Sequence, residues 1–146
     1  MPRSGFCLAL FVLTFAATIQ SAGAAALNVF DAWVRIPPPG TDLAAVYFTV
    51  RNVSPHTVTI EGAEAAVAGM AMLHESRISN GKLEMRMLDT LVIAPGQSVL
   101  FAPNGRHLML HGLNRKLLIG EKLPIVLLLT GGGKIAFTAT VRPLTG

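Results

Sequence analysis

The stretch MLHESRISNGKLEMRML, residues 72–88, is typical of a β-hairpin. Asn80-Gly81 at its centre is the dipeptide that most strongly favours a two-residue turn, in which both residues adopt positive φ. The flanking segments 72–78 and 83–88 supply two short strands. The sequence therefore predicts two adjacent antiparallel strands joined at this turn.

The turn also predicts which side chains lie opposite each other. Counting back from it, His74 faces Met87 and Ser76 faces Met85. Met85 is then diagonal to His74, roughly 7–8 Å away by backbone and within reach of a long side chain. A thioether from either Met85 or Met87 could therefore approach His74, and the hairpin alone leaves both alternatives open.

The rest of the chain continues this pattern of short strands separated by turn residues. Eight or nine strands with no convincing helical period predict an all-β sandwich or barrel. Only segment 63–70 is open to interpretation as a short helix or a loop. We expect one domain over 27–146, with strands near 27–36, 44–50, 57–60, 72–78, 83–88, 98–101, 108–110, 123–129 and 135–141.

The first 26 residues are typical of a secretory signal peptide. Arg3 precedes an apolar run over 6–19, and small residues follow, with cleavage expected after Ala24 or Ala26. The run is too short for a transmembrane anchor. Cys7 precedes the run, whereas a lipoprotein cysteine would follow it. We therefore expect export to the periplasm and a mature chain without cysteine or a membrane span.

Composition excludes several classes of protein. Hydrophobic residues make up 51% and charged residues 14%, which excludes a disordered chain. Loss of Arg3 with the leader leaves 11 basic and 8 acidic residues, a net charge of +3. These residues form no basic run, so we expect no nucleic-acid partner. Without cysteine, the mature chain cannot form a disulfide, a blue-copper thiolate site or a cysteine-based zinc site.

Methionine and histidine cluster in the middle of the chain. On a strand, residues two apart share a face. His107, Met109 and His111 therefore share one face, and Leu108 and Leu110 are expected to point into the core. The same alternation puts the residues of each of two further sets on one face: Met70, Met72 and His74, and Met85 and Met87.

Two imidazoles and two thioethers form a neutral ligand set that suits Cu(I). Thioether sulfur is a soft ligand that favours Cu(I) over zinc, magnesium, calcium or manganese. The chain has no paired carboxylates for acid–base catalysis and no Gly-X-Ser-X-Gly stretch. A carrier is therefore favoured over an enzyme.

The spacing of these residues resembles the signature of the periplasmic copper chaperones of the PCuAC family. His74 is followed by ten residues and Met85, then by twenty-one residues, His107, one residue and Met109. Further segments similar to the family are 32–35, 45–47 with Asn52, and 103–109. The resemblance covers essentially the whole mature chain.

This resemblance implies a cupredoxin-like Greek-key β-sandwich or barrel with an exposed metal site. It implies that His74, Met85, His107 and Met109 bind one Cu(I) per chain, which selects Met85 over Met87. It also implies copper delivery to cytochrome c oxidase, with subunit II or another periplasmic copper chaperone as acceptor. The chain ends without the His- and Met-rich tail of some members, so we expect a single site. We also expect a monomer.

Other residues receive structural roles, and two other classes of function remain as alternatives. Met72, Met87 and His111 are expected to surround the ligands, whereas Trp33 and Tyr47 are expected in the core. One alternative is a copper-dependent oxidase, although a mature chain beginning at Ala25 or Leu27 lacks an N-terminal histidine. The other is a metal-free envelope interaction module in which the soft cluster is only a packing seam.

Overall fold

The computed structural model describes residues 25–143, and every regular element in that range is a β-strand. The predicted leader, apart from its last two residues, lies outside the described residues. No helix within 25–143 has the length and apolarity to cross a membrane. The strands are β1 Leu27–Arg35, β2 Ala44–Asn52, β3 Val58–Glu64, β4 Ala68–Ser79, β5 Lys82–Met87, β6 Leu91–Ile93, β7 Ser98–Phe101, β8 Arg106–Leu113, β9 Lys122–Leu129 and β10 Lys134–Arg142.

Seven of these strands close into a barrel. Around the ring the order is β4, β8, β2, β1, β10, β9 and β3, and β3 returns to β4 at the Ala63–Ala71 pair. The first and last strands, β1 and β10, pair in parallel. Strands β5, β6 and β7 extend the ring as further partners of β4, β3 and β2. The all-β fold predicted from the strand pattern is confirmed.

The barrel interior is filled by alternate residues of the strands. Val46 and Phe48 of β2 and Leu108 and Leu110 of β8 are all at most 1% exposed. Phe48 stacks on Phe101 with ring centroids 4.2 Å apart. Each such side chain stabilises the fold by about 1.5–3 kcal/mol relative to an exposed position. The inward direction of Leu108 and Leu110 therefore fixes the outward direction of the residues between them.

The hairpin forms in the predicted register. His74 pairs with Met87 and Ser76 pairs with Met85 across β4 and β5. Asn80 and Gly81 have φ of 50° and 75°, the left-handed conformation that the two-residue turn requires. The turn thus sets the position of both methionines relative to His74.

Two local expectations were wrong. Segment 63–70 is neither a helix nor one loop, because it contains the end of β3, a turn over 65–67 and the start of β4. Ala63, Ala65 and Val67 alternate into the core, a strand-like period in which only Val67 has a strong strand preference. Strand β6, Leu91–Ile93, was not expected at all, and its three residues form a strand because β3 pairs with them.

We expect Gly81→Ala to lower the free energy of unfolding by about 1–2 kcal/mol, since an alanine at positive φ brings its Cβ against the backbone. An added Cβ meets no atom within 4 Å, so the cost is conformational rather than steric against a neighbour. Gly62→Ala is the control, because its Cβ makes only an ordinary 3.7 Å contact with Leu128. Chemical denaturation measures both, and equal losses would contradict the turn assignment.

Candidate metal centre

The pairing of β4 with β8 creates a ladder of soft side chains on the outside of the barrel. Leu73 and Leu108 form an inward pair, at 2% and 0% exposure. The neighbouring pairs therefore point outward. These pairs, or rungs, are His74 with His107, Met72 with Met109, and Met70 with His111.

A backbone carbonyl fixes the orientation of the His107 ring. The Gly105 carbonyl lies 3.0 Å from His107 Nδ1, and it also accepts a hydrogen bond from the Ser76 backbone N–H at 3.0 Å. Because the carbonyl only accepts, Nδ1 carries the proton and Nε2 keeps the lone pair. The Gly105 carbonyl follows Asn104, whose φ of 63° closes the β7–β8 turn. The turn thus fixes the ring with Nε2 free of a hydrogen-bond partner.

Three imidazoles of the ladder lie close together, and each has one nitrogen without a hydrogen-bond partner. The His74 ring centroid lies 5.6 Å from that of His107 and 5.7 Å from that of His111. The Nδ1 atom of His74 and the Nε2 atoms of His107 and His111 are buried without a hydrogen-bond partner. Burial lowers the pKa of His74, and the neighbouring His107 and His111 lower it further. His74 is therefore held in the neutral form, which retains a lone pair for a metal.

The methionines divide between two clefts. Met85 and Met109 line a cleft of about 500 Å³ together with His107. Pro37, Pro38 and Tyr47 also line this cleft. Met87 lines a different cleft, together with Met72. Met85 and Met87 are similarly exposed, at 53% and 57%, so their location distinguishes them and their burial does not.

The donors brought together are nitrogen and sulfur, without carboxylates. No three His, Cys, Asp or Glu side chains within residues 25–143 are grouped to hold a metal ion. His107 and His111 are four residues apart on β8, roughly 13 Å along the strand, so all three imidazoles cannot meet at one point. A metal held here would take thioether ligands beside two imidazoles, a set that suits a soft monovalent cation.

Tyr47 is buried, as expected, at 6% exposure, whereas Trp33 is only half-buried, and neither belongs to the hydrophobic cluster inside the barrel. Their rings pack against each other outside it, with centroids 4.6 Å apart, and the Tyr47 centroid lies 6.4 Å from that of His107. Strand alternation contained this signal, because Val46 and Phe48 point inward and Tyr47 between them must point outward. The aromatic pair forms a wall beside the candidate site.

Sequence reasoning missed the ion-pair cluster around Glu75. Its carboxylate accepts hydrogen bonds from Arg77 at 2.9 Å and Arg86 at 2.8 Å, and Arg106 approaches it at 3.3 Å. The Glu75 side chain is only 9% exposed. The hydrogen bond from Arg86 is the main cause that lowers the pKa of Glu75, and Arg77 and Arg106 add to it. Glu75 follows His74 directly in the chain, and its ion pairs connect β4, β5 and β8.

The remaining predicted residues take varied positions. Met70 is 61% exposed at the end of the ladder, and Met72 and His111 are half-buried along it. His56 is exposed, as expected for a turn residue.

Comparison with known proteins agrees with this architecture. A family model described as putative lipoprotein LpqE-like matches residues 27–141. The chain belongs to the LpqE-like family. The chain is also similar to the putative lipoprotein Lxx21020 of Leifsonia xyli subsp. xyli. The two are 30% identical over 121 residues, which cover 82% of this chain and 72% of the relative. Cys7, on which the expectation about lipoproteins rests, lies outside the described residues.

Solved structures place this LpqE-like chain among PCuAC domains. The Cu(I) form of DR1885 from Deinococcus radiodurans is 35% identical with a TM-score of 0.62, over 85% of each chain. The copper-bound PCuAC domain from PmoF2 shares the fold at a TM-score of 0.68 and 20% identity, over 82% of this chain and 94% of that domain. The predicted PCuAC resemblance and cupredoxin-like fold are confirmed.

We expect Glu75→Gln to lower the free energy of unfolding by about 1–3 kcal/mol, because it removes the charge from a side chain that is 9% exposed and accepts hydrogen bonds from two arginines. Since the folded-state pKa is below the ordinary 4.5, the carboxylate stabilises the protein above that value. This stability is lost as the pH falls through the folded-state pKa.

Denaturation between pH 7 and pH 3 measures both effects. The acid dependence should shrink in Glu75→Gln, whereas Glu84→Gln, at an exposed position of β5, should retain the wild-type profile. An unchanged profile in Glu75→Gln would contradict the assignment.

Proposed function

We propose that this LpqE-like chain is an exported metallochaperone that carries one Cu(I) ion and hands it to another protein. The ligands in this proposal are His74, Met85, His107 and Met109. The observation that carries it is the cluster of buried, unpartnered imidazole nitrogens beside thioethers that share a cleft with His107. An unpartnered buried polar atom costs stability, which a bound metal offsets.

Copper on relatives adds support from outside the chain. The DR1885 structure, determined with Cu(I), is similar to this chain at 35% identity. The PmoF2 domain was also determined with copper. A neutral set of two imidazoles and two thioethers leaves a bound Cu(I) with a total charge of +1 and no thiolate to hold it.

Unequal exposure of the four ligands suggests how the ion leaves. Met85 is 53% exposed, whereas His107 is 4% exposed and oriented by the Gly105 carbonyl. An incoming ligand from an acceptor therefore reaches the Met85 side first. We propose that exchange begins with the loss of Met85 and ends with the loss of His107, which requires no covalent chemistry and no catalysis.

The acceptor and the compartment are the finer parts of the proposal. We propose the periplasm as the compartment and a monomeric carrier as the transferring species. The acceptor is the copper centre in subunit II of cytochrome c oxidase, or another periplasmic copper chaperone. Membership of a family described as lipoproteins supports export, and the mass of the mature protein distinguishes cleavage after Ala24 or Ala26 from lipid attachment.

Met85→Leu should weaken Cu(I) binding at least about tenfold, or about 1.4 kcal/mol, because it removes a ligand and retains the volume. Met87→Leu is the matched control on the same strand face, and its affinity should stay within about threefold of wild type. Anaerobic Cu(I) titration against a chromophoric chelator measures both. A larger loss in Met87→Leu than in Met85→Leu would overturn the ligand assignment.

Cu(I) should also raise the melting temperature of the wild-type chain at a 1:1 endpoint, because a ligand that binds only the folded state stabilises it. His107→Ala and Met109→Leu should each reduce this increase. A melting temperature that does not change on addition of Cu(I) would favour the metal-free interaction module. Copper-dependent consumption of peroxide would favour the oxidase.

Transfer should proceed from the Cu(I)-loaded chain to the apo copper domain of subunit II when the two are mixed without oxygen. The measurement is the copper content of each protein after separation. An apo PCuAC-type chaperone serves as the second acceptor, and transfer to it alone would assign the chain to an earlier step in copper delivery. Transfer to neither acceptor would contradict both parts of the proposal.

A further inference from the structure

The proposed site leaves one end of the soft ladder without a role. Beyond the rung of Met72 and Met109, Met70 pairs with His111 on the outer face of the same two strands. Met72 lies diagonal to His111, at a separation that long side chains bridge. This end of the ladder thus supplies one imidazole and two thioethers.

His111 has the features of a ligand rather than of a surface histidine. Its Nε2 atom is buried and has no hydrogen-bond partner, although the residue as a whole is only half-buried. Its ring stands edge-on to that of His74 at 5.7 Å, essentially the distance between His74 and His107. His74 therefore lies between two equivalent imidazole neighbours.

We infer that His111, Met70 and Met72 form a second Cu(I) position that shares His74 with the first. This inference rests on the proposed function. A neutral imidazole offers a single lone pair, so His74 can bind one ion at a time. The two positions are then alternatives, and the chain holds one ion in total. Movement between them replaces His107 by His111 and exchanges the thioether partners, with no change in oxidation state.

The two positions open on different parts of the surface. Met85 lines the cleft beside Pro37 and Pro38, whereas Met70 lines a cleft with Glu64, Ala66 and Val126 and is 61% exposed. A copper donor and a copper acceptor could therefore approach the same ion from separate directions. This arrangement allows loading at one end of the ladder and release at the other.

The test is Cu(I) titration of the chain labelled with 13C at the methionine methyl groups. In the wild type, the Met85 and Met109 methyl resonances should shift most, and those of Met70 and Met72 should shift more than that of Met87. His111→Ala should abolish the shifts of Met70 and Met72 and preserve those of Met85 and Met109. Met87 is the internal control, because it pairs with His74 in register and shares a cleft with Met72 but belongs to neither position.

A second experiment isolates the second position. In His107→Ala/Met109→Leu, we expect residual 1:1 binding at least tenfold weaker than wild type, with shifts at Met70 and Met72. Adding His111→Ala should weaken it at least tenfold again. If the wild type binds one Cu(I) but Met70 and Met72 never shift, only this inference is overturned. If the wild type binds no Cu(I), the proposed function fails with it.

Discussion

The candidate site depends on the alternation of side chains along the paired strands β4 and β8. Leu73 and Leu108 face each other inside the barrel, and their burial leaves no freedom for the residues on either side. A shift of register by one residue would move the leucines to solvent and the imidazoles into the core. The packing of the hydrophobic interior thus positions a site on the outer face of the barrel. The packing of the core therefore also fixes the positions of the side chains in the soft ladder outside.

Much of this arrangement could be predicted from the sequence, because it depends on local rules. The Asn80-Gly81 turn set the register of β4 and β5, and the alternation around Leu108 and Leu110 placed His107, Met109 and His111 outside the barrel. The choice between Met85 and Met87 could not be made from the hairpin. Both lie on the same strand face, and residues distant in sequence, Pro37 and Pro38 among them, line the cleft that Met85 shares with His107.

The expectations that were wrong or missing each have a physical cause. Trp33 was expected in the core but is half-buried, because its strand phase directs it outward against the buried ring of Tyr47. The Glu75 cluster collects arginines from three strands, and no local pattern in the sequence announces contacts at such separations. Strand β6 contains two strong strand formers, Val92 and Ile93, but it has only three residues, too few to show an alternating pattern.

The carbonyl of Gly105 links the backbone of the barrel to a side chain of the candidate site. It accepts from the backbone of β4 at Ser76 and from the ring of His107, so the ring is anchored to the frame of the barrel before any ion arrives. Such a carrier has little reason to change shape between its empty and loaded forms. A partner docking at the cleft would meet nearly the same surface in both. The copper-free form would then compete with the copper-bound form for the same acceptor. The ratio of the two forms would set the rate of copper transfer.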